Sequence, residues 1–240
     1  MRFASALCFL LMTATAATAA DNPERAAMGF SPDGRYFAFE QYGVQDGSGF
    51  PYAEIFVIDL ETNQWVKGSP FRETLEDEAA RLSAVRAKTA KAASTMIGQL
   101  KIAEPGEAVA AQLPTQAVAD RHRLSFDLYY KSQTNQKGSD YTLSLDLVPF
   151  PAPASCYAED GKQMGFRLTL KDNQTGAEKE VYKDAAIPSS RYCPIDYDLS
   201  DVITYRAVSV PQRQVALIGV YTPGFEGVNR RYIAVPFGLP

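Results

Sequence analysis

Short runs with the two-residue period of a β-strand recur from residue 36 to the end of the chain. Turn residues bound most of them, and this pattern limits the fold more than any other feature. The most legible is Gly29-Phe30-Ser31-Pro32-Asp33-Gly34-Arg35-Tyr36-Phe37-Ala38-Phe39-Glu40. Proline presets φ, aspartate accepts from the backbone ahead of it, and glycine takes positive φ, so Pro32-Asp33-Gly34 is a tight turn. Tyr36 to Tyr42 follows as an aromatic strand, and a loop from Gly43 to Pro51 leads to a second strand, Tyr52 to Leu60. Asp59 to Asn63 turns the chain again, and Gln64 to Val66, with the only tryptophan at Trp65, resumes strand.

The strand period returns later. Leu124 to Tyr130 and Tyr141 to Val148 read as a hairpin around a turn at Gln133 to Ser139, stopped by Pro149, Pro151 and Pro153. Phe166 to Leu170 and Glu178 to Tyr182 flank the turn Asp172 to Ala177. Val202 to Val210, Gln214 to Tyr221 and Arg231 to Phe237 complete the series, and Glu107 to Leu113 adds one short turn or strand.

The segment from about 70 to 100 differs. Ser69 reads as an N-cap and Pro70 as a first helical residue. Acidic Glu73, Glu76, Asp77 and Glu78 precede basic Arg81, Arg86, Lys88 and Lys91, the order a helix dipole favours. Leu75, Leu82, Val85, Met96 and Leu100 give a thin apolar stripe filled by alanine. Glu104-Pro105-Gly106 closes the segment. The fold expected is therefore mainly β: one antiparallel sandwich or partly open barrel of about nine strands, with one long inserted helix. Residues 21 to 27, polar and small, read as a loose terminus.

The first twenty residues are set apart. Arg2, an apolar run from Phe3 to Met12 and small residues to Ala20 make a secretory signal peptide, with cleavage near Ala19/Ala20. The apolar run is about half the ~20 residues a membrane-spanning helix needs, and no later stretch is long enough to span. The expectation is one periplasmic or secreted domain over 21–240. Losing Arg2 leaves 23 basic residues against 28 acidic. With no basic cluster beyond Arg230-Arg231, nucleic acid is disfavoured as a partner. Cleavage also removes Cys8, leaving Cys156 and Cys193, an even number that suggests one disulfide in an exported chain.

F-S-P-D-G-R-Y-F-A-F followed by I-F-V-I-D-L-E-T-N-Q resembles one strand pair of the TolB-type propeller-like repeats. It occurs once, and a propeller needs four or more blades, so a complete propeller is rejected. The export signal, this motif, the alanine-rich segment and the tyrosine-rich C-terminal end together resemble an uncharacterised family of bacterial predicted secreted proteins, a domain of unknown function. That resemblance implies export and carries over no catalytic residue.

Catalytic chemistry is poorly supported. No G-x-S-x-G nucleophile motif is present, and His122 stands between Arg121 and Arg123 with no acidic orienter beside it. Asp196, Asp198 and Asp201 read as an acidic loop capping the strand that follows; the calcium-loop pattern of glycine and closing glutamate is missing. No cofactor or metal is expected. Two glycine-bearing loops echo one another, Gly43 to Pro51 and Pro223 to Arg230. They predict a shared surface built from Tyr42, Asp46, Phe50, Tyr52, Tyr221, Phe225, Glu226, Arg230, Arg231 and Tyr232, provided that their strands share a sheet. Tyrosine offers area plus a hydroxyl, suited to peptide or glycan. The functional expectation is a non-catalytic binding or envelope-associated protein. The alternative is a secreted hydrolase whose carboxylates, scattered in sequence, converge in the fold.

Overall fold

A computed structural model of the chain describes residues 20–113, 116–118, 120–128, 140–156, 161–208, 210–225 and 227–239. Residues 1–19 of the expected signal peptide, the expected 133–139 turn, Tyr130 and Glu226 lie outside these residues. Three antiparallel sheets stack as layers, with a helix outside the first. The first sheet holds β1 (Glu24–Phe30), β2 (Tyr36–Val44) and β3 (Pro51–Asp59), with β4 (Gln64–Trp65) and β5 (Phe71–Thr74) both paired to β3. After helix α1 (Leu82–Gln99) comes β6 (Glu107–Ala111). The third layer holds β7 (Arg123–Asp127), β8 (Asp140–Pro151), β9 (Lys162–Asp172) and β10 (Glu178–Lys183) in sequential order. The middle sheet runs β13 (Val228–Phe237), β12 (Val210–Pro223), β11 (Asp196–Ala207), β6.

The middle sheet is buried on both faces, and the strand period shows it. Val215 and Leu217 face the first sheet, in a cluster with Phe37, Phe39, Phe56 and Ile58. Ala216, Ile218 and Val220, the alternate residues, face the third sheet and meet Leu143, Leu168 and Leu170. A bulge between Leu199 and Asp201 keeps Leu199 and Val202 on one side of β11 while Ile203 and Tyr205 take the other. The first sheet is likewise two-sided: Ala38, Ile55 and Val57 pack under α1.

The turn at Ser31–Gly34 forms as its residues require. Gly34 has φ +67°, its N–H donates to the Ser31 carbonyl at 2.8 Å, and Asp33 Oδ1 accepts from the Arg35 N–H. Tyr205 donates to the Pro32 carbonyl, tying the turn to the middle sheet.

Several expectations are corrected. Strands number thirteen among the described residues, not about nine. The expected loose terminus is β1, held against β2. The helix starts at Leu82, not near 70: Ser69 Oγ accepts from the Val57 N–H instead of capping a helix, and residues 71–74 pair with Tyr52–Ile55. Asp77 turns the chain by accepting from the Ala79 N–H, so α1 has no acidic residue in its first turn. Its inner face is narrow, with Val85, Thr89 and Ala93 buried at four-residue spacing. The helix ends before Glu104-Pro105-Gly106, in a Schellman arrangement: Lys101 takes φ +52°, its N–H reaches Gly98, and the Ile102 N–H reaches Ile97.

Pro149 and Pro151 do not stop β8. β7 pairs only with residues 140–144, so beyond them β8 is an edge on that side, and a missing N–H there costs no ladder bond. Asp196 to Asp201 is strand rather than loop. Finally, β2 and β12 do not share a sheet but face one another across the core between the first and middle layers.

Candidate functional site

The two glycine-bearing loops meet, through a residue that neither contains. Asp21 Oδ1 accepts from the Asp46 N–H at 2.6 Å, and Oδ2 accepts from Arg231 at 2.7 Å. The Asp21 N–H donates to Asn229 Oδ1, and its carbonyl accepts from the Arg230 N–H. The loops thus emerge side by side although their strands lie in different sheets.

The tyrosines between them are mostly engaged with arginine. Tyr232 is 1% exposed, flanked by Arg230 at 4.7 Å and Arg25 at 5.1 Å from its ring. Tyr52 is buried under Arg231, whose guanidinium lies 4.9 Å from the ring. Burial pushes both hydroxyls above the ordinary tyrosine range, and the neighbouring arginines oppose it. Half-buried Tyr42 lies under Arg86, which also pairs with Glu40 at 2.7 Å. Half-buried Tyr221 donates to Asp198 Oδ2 at 2.7 Å, and burial followed by that bond raises its pKa. Asp198 itself accepts from Arg121 at 2.7 Å and from buried Arg230 at 2.9 Å on both oxygens. Phe50 is half-buried, Asp46 exposed, and Phe225 stands fully in solvent.

An open space lies beside this network. A cleft of about 630 Å³ runs between the first sheet, the end of the β12–β13 hairpin and the short helical turn Ser189–Arg191. Of the residues the sequence assigned to a binding surface, Arg231 and Tyr232 line it, and so does Cys193. Its other wall is Trp65, 38% exposed, packed 5.7 Å from Phe56, with the Arg72 guanidinium 5.7 Å from both rings. Arg72 is held by Glu54 at 2.6 Å, and Gln41 donates to the same carboxylate. Among the described residues Glu54 is the one carboxylate lining the cleft.

Tyr192 closes one end. Both neighbours are pinned: Arg191 is buried in an ion pair with Asp184 at 2.7 Å, and Cys193 is joined to Cys156. The disulfide expected from the cysteine count therefore fixes the loop that carries Tyr192. Tyr192 takes φ +57°, uncommon for a non-glycine residue, and its ring is 77% exposed. Behind it, Tyr197 is pushed up to about 12 by burial, against the lowering effect of Arg191. A second groove of about 430 Å³ continues past Trp65, Ser190 and Arg191 to Lys67 and Ala234.

Trp65, Arg72 and Tyr192 were not legible as site residues. Trp65 sits in an unremarkable strand run, and the exposure of Tyr192 depends on two tertiary anchors. His122 sits at the start of β7, as its flanking arginines suggest. However, its Nε2 lies 2.8 Å from the Tyr197 carbonyl and 3.3 Å from Asp196 Oδ1, so that nitrogen is a donor. Among the described residues no group of three His, Cys, Asp or Glu side chains is placed to hold a metal ion. No helix among them is long and apolar enough to cross a membrane.

No curated protein and no solved structure matches the chain. A family profile described as "Predicted secreted protein (DUF2259)" matches residues 38–237, from the first aromatic strand through the end of β13. By that match over most of its length, the chain belongs to the DUF2259 family of predicted secreted proteins.

Proposed function

We propose that the protein is an exported, non-catalytic binding protein, acting in the periplasm or outside the cell as one domain over 21–240 once the leader 1–20 is removed. Its ligand occupies the cleft between the first and middle sheets. The observation that carries this reading is the wall of presented side chains: Trp65 braced by Arg72, and Tyr192 held outward between two fixed neighbours. Ligand sites pair rigid aromatic area with a few polar groups, and this cleft does so. Pro223 lines the same cleft, so the sequence-predicted surface joins it through the hairpin tip that bears Phe225.

A hydrolase would use two carboxylates facing one another with separated pKa values. Among the described residues Glu54 is the one carboxylate in the cleft, and it is already tied to Arg72 and Gln41, which favours binding over turnover. The test is capture from envelope extracts by the mature protein and by a W65A/Y192A variant, with mass spectrometry of protein and glycan partners. A partner retained by wild type and lost by the folded variant supports the reading. Identical partners for both refute it.

A further inference from the structure

We infer that the open edge of β13 receives an extended peptide strand of a partner protein, carrying an acidic side chain; this rests on the reading of the cleft as a ligand site. β13 is the outermost strand of the middle sheet and pairs only with β12, without a bulge, from Pro223↔Val228 to Gln214↔Phe237. Pro236 has no N–H, so its pair with Val215 is a non-hydrogen-bonded one. Alternation then fixes the direction of every backbone group: Arg230, Tyr232 and Ala234 turn their N–H and carbonyl groups outward, away from β12, and Pro236 its carbonyl.

The chain covers part of that edge itself. The Arg230 N–H donates to the Asp21 carbonyl at 2.8 Å, a backbone contact of the kind an added strand would make. The Tyr232 N–H donates to Gln41 Oε1 at 2.8 Å. Beyond these the covering stops. Among the described residues the Ala234 N–H and the carbonyls of Tyr232, Ala234 and Pro236 have no hydrogen-bond partner. An incoming residue can exchange both backbone bonds with Ala234, the geometry of strand addition.

Space and charge fit that occupant. Ala234 lines the groove of about 430 Å³, whose opposite wall is β4 with Trp65, Val66 and Lys67. β4 is a two-residue strand at the end of the first sheet, so the groove lies between the edges of two sheets. Lys67 and Arg191 line the groove, and among the described residues no carboxylate does. Arg191 is paired with Asp184, whereas Lys67 makes no ion pair among the described residues. An acidic residue of the added strand is its natural counterpart.

The test pans the mature protein against a displayed library of random dodecapeptides and measures the enriched peptides by fluorescence anisotropy. A234P removes the one outward N–H of the edge that has no partner among the described residues, at a position where proline is tolerated, whereas A234V keeps it. Binding at least tenfold weaker to A234P, unchanged for A234V and weakened by K67E supports strand addition. Methylating alternate backbone nitrogens of the peptide should abolish binding to wild type, and this arm decides the matter should A234P fail to fold. Equal binding to folded A234P and wild type, or no enrichment of peptides, overturns the inference. If A234P binds as wild type does while W65A loses the captured partner, the cleft reading survives and strand addition does not. If neither variant changes capture, both fail. A concentration-dependent dimer of wild type, absent in A234P, would assign the edge to a second copy and overturn the partner proposed here.

Discussion

Asp198→Ala should be among the most damaging single substitutions in the chain. Its carboxylate is 5% exposed and serves three donors. They respond differently when it goes. Arg121 is about half exposed and turns to water. Tyr221 is half-buried and can find solvent. Arg230, 3% exposed, cannot leave, and its Nε and Nη1 already lack partners. A guanidinium is then stranded in the interior. Removing one partner of a buried pair costs about 3–5 kcal/mol, a large share of the ~5–15 kcal/mol that holds a domain together. Urea unfolding followed by far-UV circular dichroism should show a lower midpoint with an unchanged slope. The double variant D198L/R230M should recover most of the loss, since it removes the charge as well as its partner. A cost below ~1 kcal/mol for Asp198→Ala would refute the reasoning, as would a double variant no better than the single.

Gly219 lies opposite Asp198 in the sheet, and a Cβ there would sit 2.2 Å from Asp198 Oδ1 and 2.8 Å from Arg230 Nε. Gly219→Ala should therefore destabilise by at least ~1–3 kcal/mol in the same unfolding assay. Stability should fall in alkali: the folded protein holds the Tyr197 proton up to about 12, whereas an unfolded tyrosine releases it near ~10. The contribution is complete below the lower value and lost as pH rises to the upper, so tyrosinate absorbance and circular dichroism should change together across that window. Replacing Cys156 and Cys193 by serine opens a link spanning 37 residues and should cost up to ~4 kcal/mol in chemical denaturation. Phe225→Ser should leave the melting temperature unchanged, because the ring is fully exposed, and should weaken ligand capture at the cleft.

The hairpins were legible because their signals are local. Pro32-Asp33-Gly34 and Asp172 to Ala177 carry their turn chemistry within a few residues, and the alternation of Ala216, Leu217 and Ile218 marks a strand buried on two faces. The start of the helix was not legible, because Ser69 and Pro70 carry the same cap signature whether or not a helix follows. What decides residues 71–74 is the open edge of β3, a partner no local window contains. Asp196 to Asp201 was misread for a related reason: three carboxylates in six residues look solvated until Arg25 reaches Asp201, and Arg121 and Arg230 reach Asp198, from distant parts of the chain. The two loops were expected together and do meet, but through Asp21 rather than through a common sheet. The cleft, made by Trp65, Arg72 and Tyr192 from three separate elements, has no linear signature at all.

The stacking of the layers has a consequence for synthesis. Both outer sheets are encoded first, by residues 24–74 and 123–183, while most of the sheet that gives each its interior comes last, from 196 to 237. Until that final stretch is made, neither outer sheet has anything to bury its aromatic and aliphatic face against, and isolated sheets of this size gain little from closing alone. The nascent polypeptide is thus kept pliable over most of its length by the order of its own elements. For a member of a family of predicted secreted proteins, late delivery of the central layer is a built-in delay before the fold closes.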